Sequence, residues 1–371
     1  MEVKSAVKIL VVTSSISSQN GGVSASILSY YKALKLIASF DVTVVSTLLP
    51  NERIFTHDSI ANDKNFIFFR TNSRRWRYSK GLNKFLKNEV QNYDVVWVHG
   101  IWLSQSYIAS RYARKHHIPY VITPHGSLNP YAIKLKGFKK NIYWRLVEKD
   151  VFKKATAIHC LTSFEEREVQ KMTDSKTFVL PNTIEAGVFE AKDYDALNAI
   201  CFIGRFHPKK GLDLLLEALK DVENIKLLIA GDGEREYEEY IYGLIEKFEL
   251  KNRVKFFGFA DDSLQKEIYK QSLFCVMPSH SEGLAMVGLE SLAHSTPVLA
   301  TAQCDFEIIG EYDAGIVIEN NRPEVIREGI KEMMAKDIGQ MSKNAHYLAK
   351  EYFDLEVLGK RLLEQFELIV K

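Results

Sequence analysis

Two carboxylates, Glu282 and Glu290, lie in the run SEGLAMVGLE, between a short apolar strand and an apolar helix. Residues eight apart on one helix are separated by ~12 Å at 1.5 Å per residue. That length approximates the reach from a sugar ring, across a diphosphate, to a ribose. Glu282, in the loop before the helix, could meet sugar hydroxyls. Glu290, about two turns in, could accept two hydrogen bonds from ribose hydroxyls. Between them the backbone N–H groups of Gly283, Leu284, Ala285 and Met286 are expected to be free and able to hold anionic oxygens. The plain alternative is a cap carboxylate at 282 and a solvent-facing glutamate at 290.

A second group points to the same chemistry. In GRFHPKKG a strand ends at Gly204 and Gly211 opens a helix, with Arg205 and Lys210 flanking the loop between. A guanidinium fork and an ammonium at a strand's carboxyl end suit a diphosphate. Gly21 and Gly22 follow the first strand and let backbone approach a ligand closely. They do not have the Gly-x-Gly-x-x-Gly spacing of a dinucleotide site, which speaks against a dehydrogenase. His99 and His125 both end apolar strands, where an imidazole can bond a substrate hydroxyl or carry a proton. The reading favours a structural role for His99 and a functional one for His125.

The elements that must position these residues come in two sets. VKILVVT, VTVVST, FIFFR, VVWVH, YVIT, AIHC and FVLP read as strands with helical segments between them. After a polar stretch at 185–198 a second set begins: AICFI, IKLLIA, VKFF, FCVM, PVLAT and GIVIE, again alternating with helices. Near-continuous apolar strands alternating with helices mean parallel sheets covered on both faces. The expected fold class is therefore α/β, with two Rossmann-like parallel-sheet domains facing across a cleft. The first covers 1–185, joined by a C-terminal helix at about 352–371 that packs back on it; the second covers 186–351.

Bulk properties narrow the class. With 371 residues, 46% of them hydrophobic, the chain can bury two cores unaided. Cys160, Cys201, Cys275 and Cys304 form no Cys-x-x-Cys pair and read as reduced thiols. The first apolar run, Ile9–Val12, is too short for a signal peptide, and no stretch approaches the ~20 apolar residues of a membrane span. Net charge is only +2, yet residues 1–185 hold 27 Lys and Arg against 14 Asp and Glu, and the remainder 22 against 33. Two domains with different partners follow from that asymmetry. Basic residues interleaved with aromatics stand out at Arg74, Arg75, Trp76 and Arg77, and again at Lys136, Lys139 and Lys140. They suit an anionic membrane surface, with solvated helix faces as the ordinary alternative. Nucleic acid has no supporting motif.

Taken in order, Gly21-Gly22, TPHG at 123–126, GRFHPKKG, IAGDG at 229–233, VKFFGF at 254–259 and SEGLAMVGLE resemble the motifs of glycosyltransferase family 4, retaining enzymes of the GT-B fold. The segment from TPHGSLNP to AIHCLT is similar to the subgroup that builds bacterial surface polysaccharides, such as O-antigen, capsule or exopolysaccharide. The resemblance implies a nucleotide-sugar donor bound by the second domain and, as acceptor bound by the first, a polyprenyl-diphosphate-linked saccharide. It implies that Arg205 and Lys210 bind the donor diphosphate and stabilise it as leaving group, that Glu282 contacts the donor sugar and that Glu290 holds the ribose. Gly258 and Phe259 would line the base, Gly21 and Gly22 would close on the diphosphate, and His125 would touch the sugar near the reacting carbon. Leu284 and Ala285 depart from the aromatic and glycine common in the family. Front-face substitution is expected, with the leaving diphosphate accepting the acceptor's proton and the cations serving where other enzymes use a metal. No cofactor or metal is expected, and the implied location is cytoplasmic, peripheral on the inner face of the bacterial cytoplasmic membrane. Rival readings are a nucleotide-sugar epimerase or phosphorylase on the same fold, or an inactive sugar-nucleotide-binding partner protein.

Overall fold

Apolar runs form the sheet centres of two separate units. A computed structural model describes residues 6–17, 21–52, 54, 60, 62–71, 73–134 and 137–371. Unit 1 comprises Met1–Thr183 with Leu355–Lys371, and unit 2 comprises Ile184–Asp354. Both are doubly wound parallel sheets, as expected for the α/β class.

In unit 1 the strands are β1 (Val7–Thr13), β2 (Phe40–Leu48), β3 (Phe66–Arg70), β4 (Val95–His99), β5 (Tyr120–Thr123), β6 (Ala157–Cys160) and β7 (Thr177–Val179), in the order β3-β2-β1-β4-β5-β6-β7. The direction of winding reverses between β1 and β4, where Thr13 is registered with His99. Helices α1 (Gly21–Lys35), α2 (Lys80–Glu89), α3 (Ser104–Lys115) and α4 (Ser163–Gln170) connect the strands used below. The sheet interior is fully apolar at Leu10, Val12, Val96, Val98 and Ile122, which is why alternation is absent from these strands.

Unit 2 has β8 (Ala199–Ile203), β9 (Lys226–Ala230), β10 (Val254–Phe256), β11 (Cys275–Met277), β12 (Val298–Thr301) and β13 (Gly315–Ile318), in the order β10-β9-β8-β11-β12-β13. Its reversal lies between β8 and β11. Helices α5 (Leu212–Leu219), α6 (Asp262–Lys270) and α7 (Met286–Ala293) flank that point. The polar stretch at 185–198 is tied to unit 2 by Glu190, which pairs with Lys266 and Lys270, and by the half-buried Lys192. Lys192 Nζ donates to Tyr269 O (2.8 Å), Ser272 O (3.2 Å) and Thr296 Oγ1 (2.7 Å). Burial lowers that ammonium to about 8.

The last helix, α8 (Leu355–Val370), returns to unit 1. Phe366 packs edge-on against Trp97 at 5.1 Å and Phe40 at 6.2 Å between ring centroids. A Cβ at Gly359 would meet Ala33 O at 2.9 Å, so α8 lies close on the α1 backbone. The free cysteines are all buried. No helix among the described residues is long and apolar enough to cross a membrane.

Candidate active site

At the β8/β11 reversal of unit 2, two loops meet. The first runs from Gly204 to Gly211. Gly211 sits at φ 68°, and a Cβ there would lie 2.2 Å from Pro278 O, so only glycine lets this loop press on the loop after β11. His280 N–H donates to Lys209 O (2.8 Å), closing the same contact. The result is an ion pair: Lys210 Nζ to Glu282 Oε1, 2.6 Å, with the lysine 22% and the glutamate 9% exposed. Burial alone would raise the Glu282 carboxyl. The Lys210 and Lys209 ammonium groups, the Lys210 hydrogen bond and Ser279 outweigh it and hold the carboxyl below its usual range. Glu282 is therefore an ionised, cation-paired acceptor. Arg205 is exposed beside the pair. Lys209, unremarked in the sequence, is a further cation on Glu282, and burial lowers its pKa despite that carboxylate. Its signal was the doubled Lys in HPKKG.

Glu290 is placed differently from the expectation. It is the fifth residue of α7, little more than one turn in, and residues 282–285 are loop rather than helix, with Leu284 at φ 53°. The straight-helix spacing to Glu282 therefore does not apply. Nor is Glu290 a solvent-facing residue. Burial, followed by the charge of Asp262, pushes its carboxyl up to about 7. The residue is half-buried, and among the described residues its carboxylate makes no ion pair or hydrogen bond. At the start of α7, Ala285 is the N-cap and supplies no side-chain bond. The Glu282 N–H is spent on Gln303 O (2.9 Å). Gly283 leads into this turn. Beyond β10, Gly258 takes φ 68° and accepts from the Gly231 N–H (2.7 Å), while Phe259 is 58% exposed. The C-terminal ends of β8, β10 and β11 thus carry Arg205, Lys209, Lys210, Phe259 and Glu282 along one edge of a parallel sheet, where ligands of such sheets bind.

In unit 1, Gly21 (φ 38°) and Gly22 open α1 and are exposed. His125 sits at φ 53° beyond β5. Its Nε2 lies 2.9 Å from His99 Nδ1, so one imidazole donates to the other. His99 is thus joined to His125, not merely packed in the core, and its own Nε2 is buried without a partner. Adjacent strand ends explain why: His99 is registered with Thr123, two residues before His125. The backbone beyond is pinned by Glu165, which accepts from the Gly126 N–H (2.6 Å) and the Leu161 N–H (2.8 Å). Burial, then the neighbouring His159, drives His125 down to about 3; His99 is also driven well down. Both are neutral at pH 7, which fits His125 for hydrogen bonding rather than for carrying a proton.

The basic clusters are only partly free. Arg74 and Arg75 are exposed, and Trp76 is 39% exposed with its Nε1–H donating to Tyr143 Oη (3.1 Å). Arg77 leaves the cluster. Its guanidinium turns inward to the buried Glu52 carboxylate and donates to Ser14 O (3.2 Å), so it offers no charge to a surface. Lys140 likewise donates to Ala132 O and lies over the Trp102 ring at 5.5 Å. Lys136 lies outside the described residues, and Lys139 falls in the helix Gly137–Tyr143. Ile142 and Leu146, unexpected from the sequence, are exposed nearby.

The description "Glycosyltransferase Family 4" matches residues 20–187, and "Glycosyl transferases group 1" matches 188–352. An uncharacterized glycosyltransferase of Methanocaldococcus jannaschii is 29% identical over 276 residues, 70% of this chain and 73% of that one. Two further curated relatives are matched over 35% and 42% of their own length. Among solved structures, a sucrose-phosphate synthase from Thermosynechococcus elongatus aligns with a TM-score of 0.77 at 16% identity, over 97% of this chain and 98% of that one. Anabaena HepE in complex with UDP and glucose aligns equally well (0.77) at 15% identity, over 97% and 99%. At these identities the likeness establishes the fold, two Rossmann-like domains of the GT-B class.

Proposed function

The chain belongs to the group 1, family 4 type of glycosyltransferases, and on that footing we propose that it moves a sugar from a nucleotide-sugar to a hydroxyl of a lipid-linked saccharide, with retention of anomeric configuration, in bacterial surface-polysaccharide synthesis. The observation that carries the donor side is the Lys210–Glu282 pair at the β8/β11 reversal, with Lys209 and Arg205 beside it and Glu290 unpartnered nearby. HepE, which has the same fold, was solved with UDP and glucose. That supports a nucleotide-sugar as the ligand.

In this reading Arg205 and Lys210 hold the diphosphate, with Lys209 adding charge. The bond from the anomeric carbon to the diphosphate oxygen breaks while the acceptor oxygen bonds to the same face of that carbon. The acceptor's proton passes to the departing diphosphate. Fixed cations pointed at that oxygen stabilise charge where it develops. Glu282, kept ionised by its lysines, accepts from sugar hydroxyls; Glu290 accepts from the ribose; Gly258 and Phe259 line the base. Neutral His125, aligned by His99, bonds a sugar hydroxyl. Because the fixed cations can supply the charge, the reaction is proposed to need no metal.

The membrane part rests on exposed Arg74, Arg75 and Trp76 together with Ile142 and Leu146, which combine positive charge with apolar surface. In this reading the protein sits peripherally on the cytoplasmic leaflet. A thermal-shift panel of nucleotide-sugars tests the donor side. One of them should raise the Tm of the wild type and have far less effect on Arg205→Gln, with or without EDTA. A panel with no stabilising member would sink the reading.

A further inference from the structure

Unit 1 holds a cavity of about 620 Å³ that none of the roles above uses. It opens beyond the C-terminal ends of β2 and β3, at the edge of the sheet, against the start of α2. Leu49, Glu52, Arg70, Tyr78, Ser79 and Lys80 are among its lining residues. Its volume is in the ordinary range for a small-molecule site, ~300–1,000 Å³.

The charges in it are unbalanced. Among the described lining residues Glu52 is the only acid, and it is already satisfied. Arg77 pairs with it, Ser15 Oγ donates to Oε1 (3.2 Å) and the Leu49 N–H donates to Oε2 (2.9 Å). Arg70 and Lys80 have no such partner. Neither side chain makes an ion pair or hydrogen bond among the described residues. Both are exposed, so water solvates them while the cavity is empty. Two unmatched cations on one cavity, beside a carboxylate that is fully engaged, select an anion with several oxygens. The wall also carries a ring. Tyr78 is partly exposed and lies 6.5 Å from Trp76, nearly parallel at 20°. An anionic group with an attached ring or chain fits such a wall better than a bare ion.

We propose that this cavity binds the phosphate or diphosphate of the acceptor, with Arg70 and Lys80 on its oxygens and Tyr78 against the group attached to it. The inference rests on the reading that unit 1 handles the acceptor, and it extends it by naming what on the acceptor is gripped. The phosphate could belong to a lipid-linked saccharide or to a soluble sugar phosphate. The chemistry at Arg70 and Lys80 is the same for both.

The test is calorimetric titration of the full chain saturated with UDP, so that the proposed donor site is blocked. The probes are farnesyl diphosphate, glucose 6-phosphate and, as neutral control, glucose. At least one phosphate probe is expected to bind and glucose is not. Arg70→Gln/Lys80→Gln should weaken that probe about tenfold or more, in line with losing charge-assisted bonds. Both positions are exposed, and unchanged UDP affinity in the double variant reports an intact fold. Preference for farnesyl diphosphate assigns the lipid source, and preference for glucose 6-phosphate the soluble one. If neither phosphate binds, or the double variant binds as well as the wild type, the proposal is overturned. Should UDP itself fail to bind, the donor reading falls alone. The same probes without UDP, compared in wild type and double variant, still decide the cavity.

Discussion

Burial holds the Glu290 carboxyl at about 7 against an ordinary 4.5, so at pH 7 roughly half of the free protein carries a proton there. If two ribose hydroxyls donate to this group, they favour the carboxylate over the acid, and the bound pKa should return to about the ordinary value. Nucleotide binding then expels about 0.5 proton at pH 7, about 0.9 at pH 6 and about 0.1 at pH 8, by linkage. The affinity should weaken about tenfold for each pH unit below 7, or ~1.4 kcal/mol per unit, until the bound pKa is reached. Titrating UDP calorimetrically in two buffers of different ionisation enthalpy reads the proton count directly. Glu290→Gln should abolish the proton release and flatten the pH dependence below 7, apart from the nucleotide's own phosphate titration. A wild type that releases no proton at pH 6, or that takes one up, would refute the ribose role of Glu290. Release in Glu290→Gln as large as in the wild type would refute it equally.

Arg205→Ala should lower kcat/KM by the equivalent of ~2–4 kcal/mol, as for losing one preorganised donor to developing charge; steady-state kinetics with near-normal turnover would contradict its assignment. Lys210→Met takes from the Glu282 carboxylate its ion-pair partner, leaving Lys209 and Ser279, and denaturant unfolding should show a loss of ~1–3 kcal/mol, largely recovered in Lys210→Met/Glu282→Leu. A single variant as stable as wild type would mean the pair is solvated. His99, His125 and His159 all have folded pKa values depressed by burial. The unfolded chain therefore takes up these protons first as pH falls below ~6.5, and stability drops by ~1.4 kcal/mol per histidine per unit. Glu148, raised to about 7 by burial, opposes this with the contrary sign. Unit 1 should therefore lose about two histidine equivalents per pH unit between 6 and 5, read from Tm against pH, and a flat profile would rule out neutral buried imidazoles.

Much of the fold was legible because parallel strands buried on both faces are near-continuous apolar runs, and thirteen such runs became the thirteen strands of two sheets. The return of the last helix was expected as part of that fold, and Leu355–Lys371 does belong to unit 1. Side-chain pairings were not. Arg77 reads as one more cation in RRWRY, since its partner Glu52 lies 25 residues upstream. His99 reads as structural because nothing local shows that β4 and β5 are neighbours, which alone brings its ring to His125. The loop conformation at Leu284 invalidates a helical ruler between Glu282 and Glu290, and no composition signal announces a positive φ at leucine. What spacing did convey was that Arg205, Lys210 and Glu282 belong to loops at strand ends. The Lys210–Glu282 contact then follows from the close approach that Gly211 permits.

The central claim is transfer of a sugar from a nucleotide-sugar to an acceptor by this chain. The most direct measurement supplies the nucleotide-sugar selected by thermal shift and a polyprenyl-diphosphate-linked saccharide, in excess EDTA. Released nucleoside diphosphate is counted against sugar incorporated, and the product's anomeric proton is read by NMR. One nucleoside diphosphate per sugar transferred, only when acceptor is present and with the donor's anomeric configuration kept, is the predicted result. Isomerised nucleotide-sugar, or nucleoside diphosphate released at the same rate without acceptor, would contradict it.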